Sequence, residues 1–219
     1  MTLSSPIVPA IIPQSYDDLV RVVSQLQGLP EIHVDVVDGK FVPAVSWPYL
    51  HNDDVSVAYK LLAPFSLEVD LMVEKPLPEA NAWLKAGADQ LVFHIETIEA
   101  SVLENFIQAH DVTVGVAISS ATPLEALFPY LQFVTYVQVM GIASIGSQGQ
   151  PFDSAVINRI ATLRNKYPHL PISIDGSVNA TTLPLLKNMG LHRFIVGSAI
   201  IGSTDPKVAY QALTNLVKS

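Results

Sequence analysis

The sequence predicts a (β/α)8 (TIM) barrel, and three observations predict it. Short apolar, β-branched runs alternate with longer amphipathic ones along the chain. Eight such strand-like runs in 219 residues give a repeat of roughly 27 residues, near the minimum for closed βα units, although barrels usually run to about 250 residues. Most of these runs are almost continuously apolar, as expected of parallel strands covered on both faces.

The predicted strands are Ile7–Ile12, Ile32–Val36, Leu67–Leu71, Gln90–Ile95, Val112–Ile118, Phe133–Val139, Ile172–Ile174 and Phe194–Val196. Helical patterns lie between them. Tyr16–Gln27 carries Leu19, Val22, Val23 and Leu26 at helical spacing. Leu77–Ala86, Ile98–Ala109, Pro123–Tyr130, Phe152–Tyr167, Ala180–Met189 and Lys207–Val217 read likewise. His51–Leu62 has a weaker pattern, with Asn52, Asp53 and Asp54 as candidate caps. Val37–Leu50 and Gly141–Pro151 are the longest irregular stretches, and each follows a strand. No linker is evident, so one domain over residues 1–219 is expected. A doubly wound open sheet is the structural alternative, but Ile11-Ile12-Pro13-Gln14-Ser15 after the first strand lacks the glycines of a dinucleotide loop.

Composition narrows the function. A 49% hydrophobic and 15% charged chain suits a large core. The net charge of −8 and pI near 5.1 disfavour nucleic-acid and membrane partners. With no cysteine, disulfides, thiolate metal sites and a cysteine nucleophile are excluded. Met1–Ser5 has no signal-peptide character, and no apolar run is long enough to cross a membrane, so a cytoplasmic location is expected.

Charged residues inside apolar strands are the informative anomaly. His33 and Asp35 stand two apart on one face of a strand, as do Glu68 and Asp70, while Asp175 ends a third strand. Taken singly, a strand histidine is usually core and a strand-end aspartate usually a helix cap. Together at strand C-terminal ends, where barrels keep their chemistry, carboxylates and an imidazole suit a cation such as Zn, Mn, Fe or Co. His94 and Glu96 could support such a site, or His94 could simply be buried structure. After strands seven and eight, Gly176-Ser177 and Gly197-Ser198 fall where many barrels bind phosphate. The glycine-rich loop Gly141–Gln150 is a third clamp, a lid or a plain surface loop.

These residues resemble the ribulose-phosphate 3-epimerase family. Ile32-His33-Val34-Asp35-Val36-Val37-Asp38-Gly39-Lys40-Phe41-Val42-Pro43 is similar to its H-V-D-x-M-D-G-x-F-V-P segment. Asp70-Leu71-Met72-Val73 resembles H-L-M-V, Ala86-Gly87-Ala88-Asp89 matches A-G-A-D, and Ala121-Thr122-Pro123-Leu124-Glu125 matches A-T-P-L-E. Gly149-Gln150-Pro151-Phe152 resembles G-Q-x-F, and Asp175-Gly176-Ser177 and Val196-Gly197-Ser198 resemble the phosphate loops. The likeness runs from about Ile7 to Val217.

The resemblance implies a divalent metal held by His33, Asp35, Asp70 and Asp175, with Asp35 and Asp175 as the two acid/base groups of a ketose-phosphate 3-epimerase. It implies substrate and phosphate contacts at Gly149, Gly176, Ser177, Gly197 and Ser198. Met72 and Met140 would pack against the intermediate, or simply fill the core. A phosphorylated ketose partner and a homo-oligomer follow from the same likeness. This chain departs from the pattern in four places. Asp70 replaces a histidine, Ala10 and Pro13 replace serines, Val37 stands for a methionine, and the loop after strand six is one residue longer.

Three alternatives stand beside the pentulose epimerase. Asp-Gly-Ser also occurs in allulose-6-phosphate epimerases, which take a six-carbon sugar. A lyase like orotidine-phosphate decarboxylase needs a D-x-K-x-x-D lysine that Asp35-Val36-Val37-Asp38 lacks. The lost serines fit a sugar-phosphate-binding barrel without turnover.

Overall fold

The computed structural model describes residues 6–218; the Met1–Ser5 segment read above lies outside them. Eight parallel strands close into a barrel in sequence order, as predicted. They are β1 (Ile7–Ile11), β2 (Glu31–Val37), β3 (Ser66–Met72), β4 (Gln90–His94), β5 (Thr113–Ile118), β6 (Tyr136–Met140), β7 (Ile172–Asp175) and β8 (Arg193–Val196). Between and after them run α1 (Tyr16–Leu26), α2 (Tyr59–Leu62), α3 (Pro76–Lys85), α4 (Ala100–Ala109), α5 (Ala155–Lys166), α6 (Leu183–Leu186), α7 (Ser198–Ile201) and α8 (Pro206–Lys218). Among the described residues no helix is long and apolar enough to cross a membrane.

The period of two along each strand divides the core. Val34, Val36, Val69, Leu71, Val116, Val139, Ile174 and Phe194 join helix residues such as Leu19, Val22, Trp83 and Leu103 in one large outer cluster. The alternate residues fill the barrel. Val8, Ala10 and Ile195 form one small apolar group there, and Val92, Ala117, Tyr136 and Met140 another. Val37 and Met72 join a third apolar group toward the mouth, and between these groups Glu31, His33, Asp35, Glu68, Asp70, His94, Gln138, Ser173 and Arg193 are polar and all buried. An interior so polar is unusual for a fold that normally fills its centre with branched apolar side chains.

Local chemistry explains where elements stop short of the predicted ranges. The Pro123–Tyr130 pattern yields only a 3-10 turn at Leu124–Leu127, because Pro129 has no N–H to extend it. Ala180–Met189 yields only α6, because Pro184 has no N–H to close a turn on Ala180; the Asn179 side chain caps the segment at the Thr181 (2.9 Å) and Thr182 (3.2 Å) amides. β6 starts at Tyr136 rather than Phe133, since the Phe133 and Val134 amides donate back to the Tyr130 carbonyl. The Asp153 side chain accepts from the Ala155 amide (3.0 Å) in a turn ahead of α5, which starts at Ala155 rather than Phe152. Within His51–Leu62, Asp54 caps a 3-10 turn that leads into α2. α7 is a single turn, too short to show a period in the sequence.

Candidate active site

β2, β3 and β7 bring His33, Asp35, Asp70 and Asp175 together at one point inside the barrel. One ligand atom from each lies within 4.8 Å of those of the others. The register places them: Asp35 pairs with Asp70 across β2–β3, so the two carboxylates stand side by side. His33 sits one inward step deeper. Its Nε2 faces Asp35 Oδ1 at 3.1 Å and Asp70 Oδ2 at 3.9 Å, and its Nδ1 donates to Glu68 Oε1 at 2.6 Å. Glu68, one of the strand carboxylates noted above, stands outside the four and supports the histidine from below.

The cluster is electrostatically unbalanced as it stands. Burial, joined by repulsion from Asp35, pushes the Asp175 carboxyl well above its ordinary range. Burial also raises Asp35, against the pull of His33. Burial would depress His33, but Asp35 and Glu68 outweigh it and raise the imidazole. Asp70 Oδ1 has no aligned hydrogen bond, and its positive neighbour is His94, whose Nε2 lies 3.1 Å away. One imidazole and three carboxylates converging on one point fit a divalent cation, which would neutralise their repulsion.

Above the cluster a cavity opens, and every other predicted site residue lines it. Met72, Met140, Gly149, Gly176, Ser177, Gly197 and Ser198 share its wall with Asp35 and Asp175. Two loops are drawn tightly together there. Gly141 donates to the Asp175 carbonyl at 2.6 Å, and a side chain at Gly141 would lie 2.5 Å from the Gly176 carbonyl oxygen. Gly176 (φ 102°) and Ser177 (φ 55°) are successive left-handed residues, which only the first adopts without strain. On the far side, the Asp38 carboxylate knits the loop after β2 to the loop after β3. It accepts from the Lys40 and Phe41 amides at 2.9 and 3.2 Å and from the Glu74 amide at 2.9 Å. Phe41 then lies against His94, with ring centres 5.2 Å apart.

The strand patterns did not reveal several residues around the site. Gln138 Nε2 donates to Asp70 Oδ2 at 2.8 Å. Gln148 reaches from the loop after β6 to the Ala10 carbonyl at 3.2 Å and lines the same cavity. Tyr136, Glu31 and Arg193 lie deeper in the barrel. Arg193 carried a signal: a guanidinium opening the apolar strand Arg193-Phe194-Ile195-Val196 demands a buried carboxylate partner.

A profile of the ribulose-phosphate 3 epimerase family matches residues 6–201. The cytoplasmic isoform of ribulose-phosphate 3-epimerase from Oryza sativa subsp. japonica is 27% identical over 221 residues, covering 98% of this chain and 95% of that protein. The ribulose-phosphate 3-epimerase of Treponema pallidum is 31% identical over 214 residues, covering 93% and 94%. Among solved structures, 3-hexulose-6-phosphate synthase from Salmonella typhimurium superposes with a TM-score of 0.72 at 14% identity, covering 97% and 98%. 3-Keto-L-gulonate-6-phosphate decarboxylase from Vibrio cholerae gives 0.72 at 15% identity, covering 97% and 96%. At those identities the two solved structures share the fold alone. The near full-length profile match and the relative above 30% identity settle the kinship: this chain belongs to the ribulose-phosphate 3-epimerase family and is an isomerase of the epimerase class.

Proposed function

We propose that the protein is a metal-dependent ketose-phosphate 3-epimerase interconverting D-ribulose 5-phosphate and D-xylulose 5-phosphate. The observation that carries this reading is the placement of Asp35 and Asp175 in the wall of the cavity and, at once, in the cluster beneath it. Epimerisation beside a ketone removes a proton from one face of carbon 3 and returns one to the other. It needs two groups that can each hold a proton, one for each face of a flat enediolate. Asp35 and Asp175 rise from β2 and β7, on separate sides of the barrel mouth. In the metal-free site burial raises both, so either can hold a proton there.

His33, Asp35, Asp70 and Asp175 would hold the divalent cation. When bound, it supplies Lewis acidity toward the substrate's carbonyl oxygen and the adjoining hydroxyl. With three carboxylates and one imidazole the donor set is hard and negative, and manganese, iron, cobalt and zinc all remain chemically suited to it. Met72 and Met140 line the cavity and would exclude water from the reacting carbon. Gly149, Gly176, Ser177, Gly197 and Ser198 would meet the phosphate with backbone N–H groups and hydroxyls, which an acidic protein needs in place of a general positive field.

A hexulose 6-phosphate is the second reading. Ala10, in the position of a family serine, lines the cavity beside Ile12 and gives up a hydroxyl contact in return for space at the end of β1. The two readings separate on kcat/KM for D-ribulose 5-phosphate and D-allulose 6-phosphate, measured side by side with the cobalt-loaded enzyme. A preference of at least about tenfold for the pentulose, equal to 1.4 kcal/mol, supports the first reading. The reverse preference replaces it with the second.

A further inference from the structure

The barrel below the metal cluster contains a charged assembly that the chemistry above does not touch. Glu68 is the register partner of His33 across β2–β3. Both are fully buried, and His33 Nδ1 donates to Glu68 Oε1 at 2.6 Å. The other Glu68 oxygen accepts from Arg193 Nη1 at 2.6 Å and from the Tyr136 hydroxyl. Arg193 in turn pairs with Glu31 through Nη2. One carboxylate is therefore gripped by donors from β2, β6 and β8, and it cannot turn without breaking all three bonds.

We propose that Glu68 is a positioning residue that aims His33 at the metal centre, with Tyr136 and Arg193 fixing Glu68 in turn. The assignment rests on the reading of His33, Asp35, Asp70 and Asp175 as that centre. An imidazole has two nitrogens, and a hydrogen bond from Nδ1–H leaves the Nε2 lone pair for a cation. The Nε2 atom is the one that faces Asp35 and Asp70. Stability alone is a poor reason for this layer, because a buried ion pair roughly breaks even against apolar residues of similar size. The fold also gives way to make room for it. Gly115 is the register partner of Tyr136, and a side chain there would come within 2.3 Å of the tyrosine ring.

Glu68→Gln tests the idea with almost no change in shape. A carboxylate presents two acceptor oxygens to three donors. A carboxamide presents one oxygen and one NH2, so it either repels Arg193 and Tyr136 or turns its NH2 toward His33 and inverts the imidazole tautomer.

The experiment is a Co2+ titration of the full chain, read as affinity by chelator competition and as the visible spectrum of bound cobalt, with thermal unfolding of each metal-free variant alongside. Glu68→Gln is expected to weaken Co2+ binding by about 10- to 100-fold and to change the spectrum. Tyr136→Phe keeps the ring and removes one donor, so a loss of a few fold is expected; it decides the matter if Glu68→Gln does not fold. Ser173→Ala, at a buried β7 position beside Arg193 whose hydroxyl makes no hydrogen bond to the assembly, is expected to bind Co2+ like the unsubstituted chain. Unchanged affinity and spectrum in both Glu68→Gln and Tyr136→Phe would overturn the assignment, and so would an equal loss in Ser173→Ala. If the unsubstituted chain binds no Co2+, the metal centre itself falls and takes this assignment with it; a loss of binding confined to the Glu68 and Tyr136 variants upholds both.

Discussion

Gln138 on β6 reaches across the barrel to Asp70 on β3, and its Nε2 donates to Asp70 Oδ2 at 2.8 Å. That bond leaves Oδ1, which has no aligned hydrogen bond, facing His94 Nε2 at 3.1 Å. Aspartate is shorter than the histidine the family pattern places there, and Gln138 is what holds it toward the cluster. Asp70→Asn should lower divalent-ion affinity by at least about tenfold, and Gln138→Leu by about as much, in a Co2+ or Mn2+ titration. Affinities unchanged in both variants would remove Asp70 from the site.

Asp35 and Asp175 should separate by substrate face. With Asp35→Asn or Asp175→Asn, epimerisation should fall by about 10²- to 10⁴-fold. Each variant should still exchange the carbon-3 proton of one epimer with solvent, and the two variants should favour opposite epimers. Deuterium wash-in to each purified ketose phosphate reads this out. Loss of exchange from both epimers in both variants would argue against separate acid/base roles.

Ser177 sits at φ 55°, a conformation that costs a non-glycine residue about 1–3 kcal/mol. Ser177→Gly should therefore raise the melting temperature by a few degrees, a stabilisation of about 1 kcal/mol. If its hydroxyl holds the phosphate, KM should rise about tenfold while kcat stays within about twofold. A melting temperature that rises with no change in KM would confine Ser177 to the turn.

Glu96 gives the fold an acid limit. Burial alone would raise its carboxyl; His94, the Thr122 hydroxyl and the Ser119 amide outweigh that and bring it down to about 2, from an ordinary 4.5. A carboxyl depressed in the folded state stabilises fully above its unfolded pKa. That contribution should fade as pH falls from about 4.5 toward 2. It is worth about 1–2 kcal/mol after allowing for the partial exposure of the group. Urea unfolding of the metal-free protein between pH 7 and pH 3 should show Glu96→Gln less stable at pH 7, with the gap reduced by about half at pH 3. Parallel curves across that range would contradict the assignment.

The barrel was legible because each strand announces itself through an apolar run with both faces covered, and the cluster was legible because His33, Asp35, Asp70 and Asp175 interrupt those runs. What was hidden depends on closure of the barrel. Gln138 and Tyr136 lie 68 residues from their partners Asp70 and Glu68, and Arg193 lies 162 from Glu31. No local period records such pairings. Glu68 looked like one more carboxylate for the cation, because spacing of two fixes the face of a strand but not the depth inside the barrel. The predicted helices at Pro123–Tyr130 and Ala180–Met189 shortened for a related reason, since the period recorded burial while Pro129 and Pro184, each without an N–H, broke the helical hydrogen bonds.

The central claim is metal-dependent proton exchange at carbon 3. The most direct test incubates cobalt-loaded and chelator-stripped protein with D-ribulose 5-phosphate in D2O and follows the carbon-3 proton by NMR. Loss of that signal with growth of D-xylulose 5-phosphate, in the loaded sample alone, is the predicted result. A persistent carbon-3 proton with every divalent ion tried, or equal exchange in the stripped sample, would contradict it.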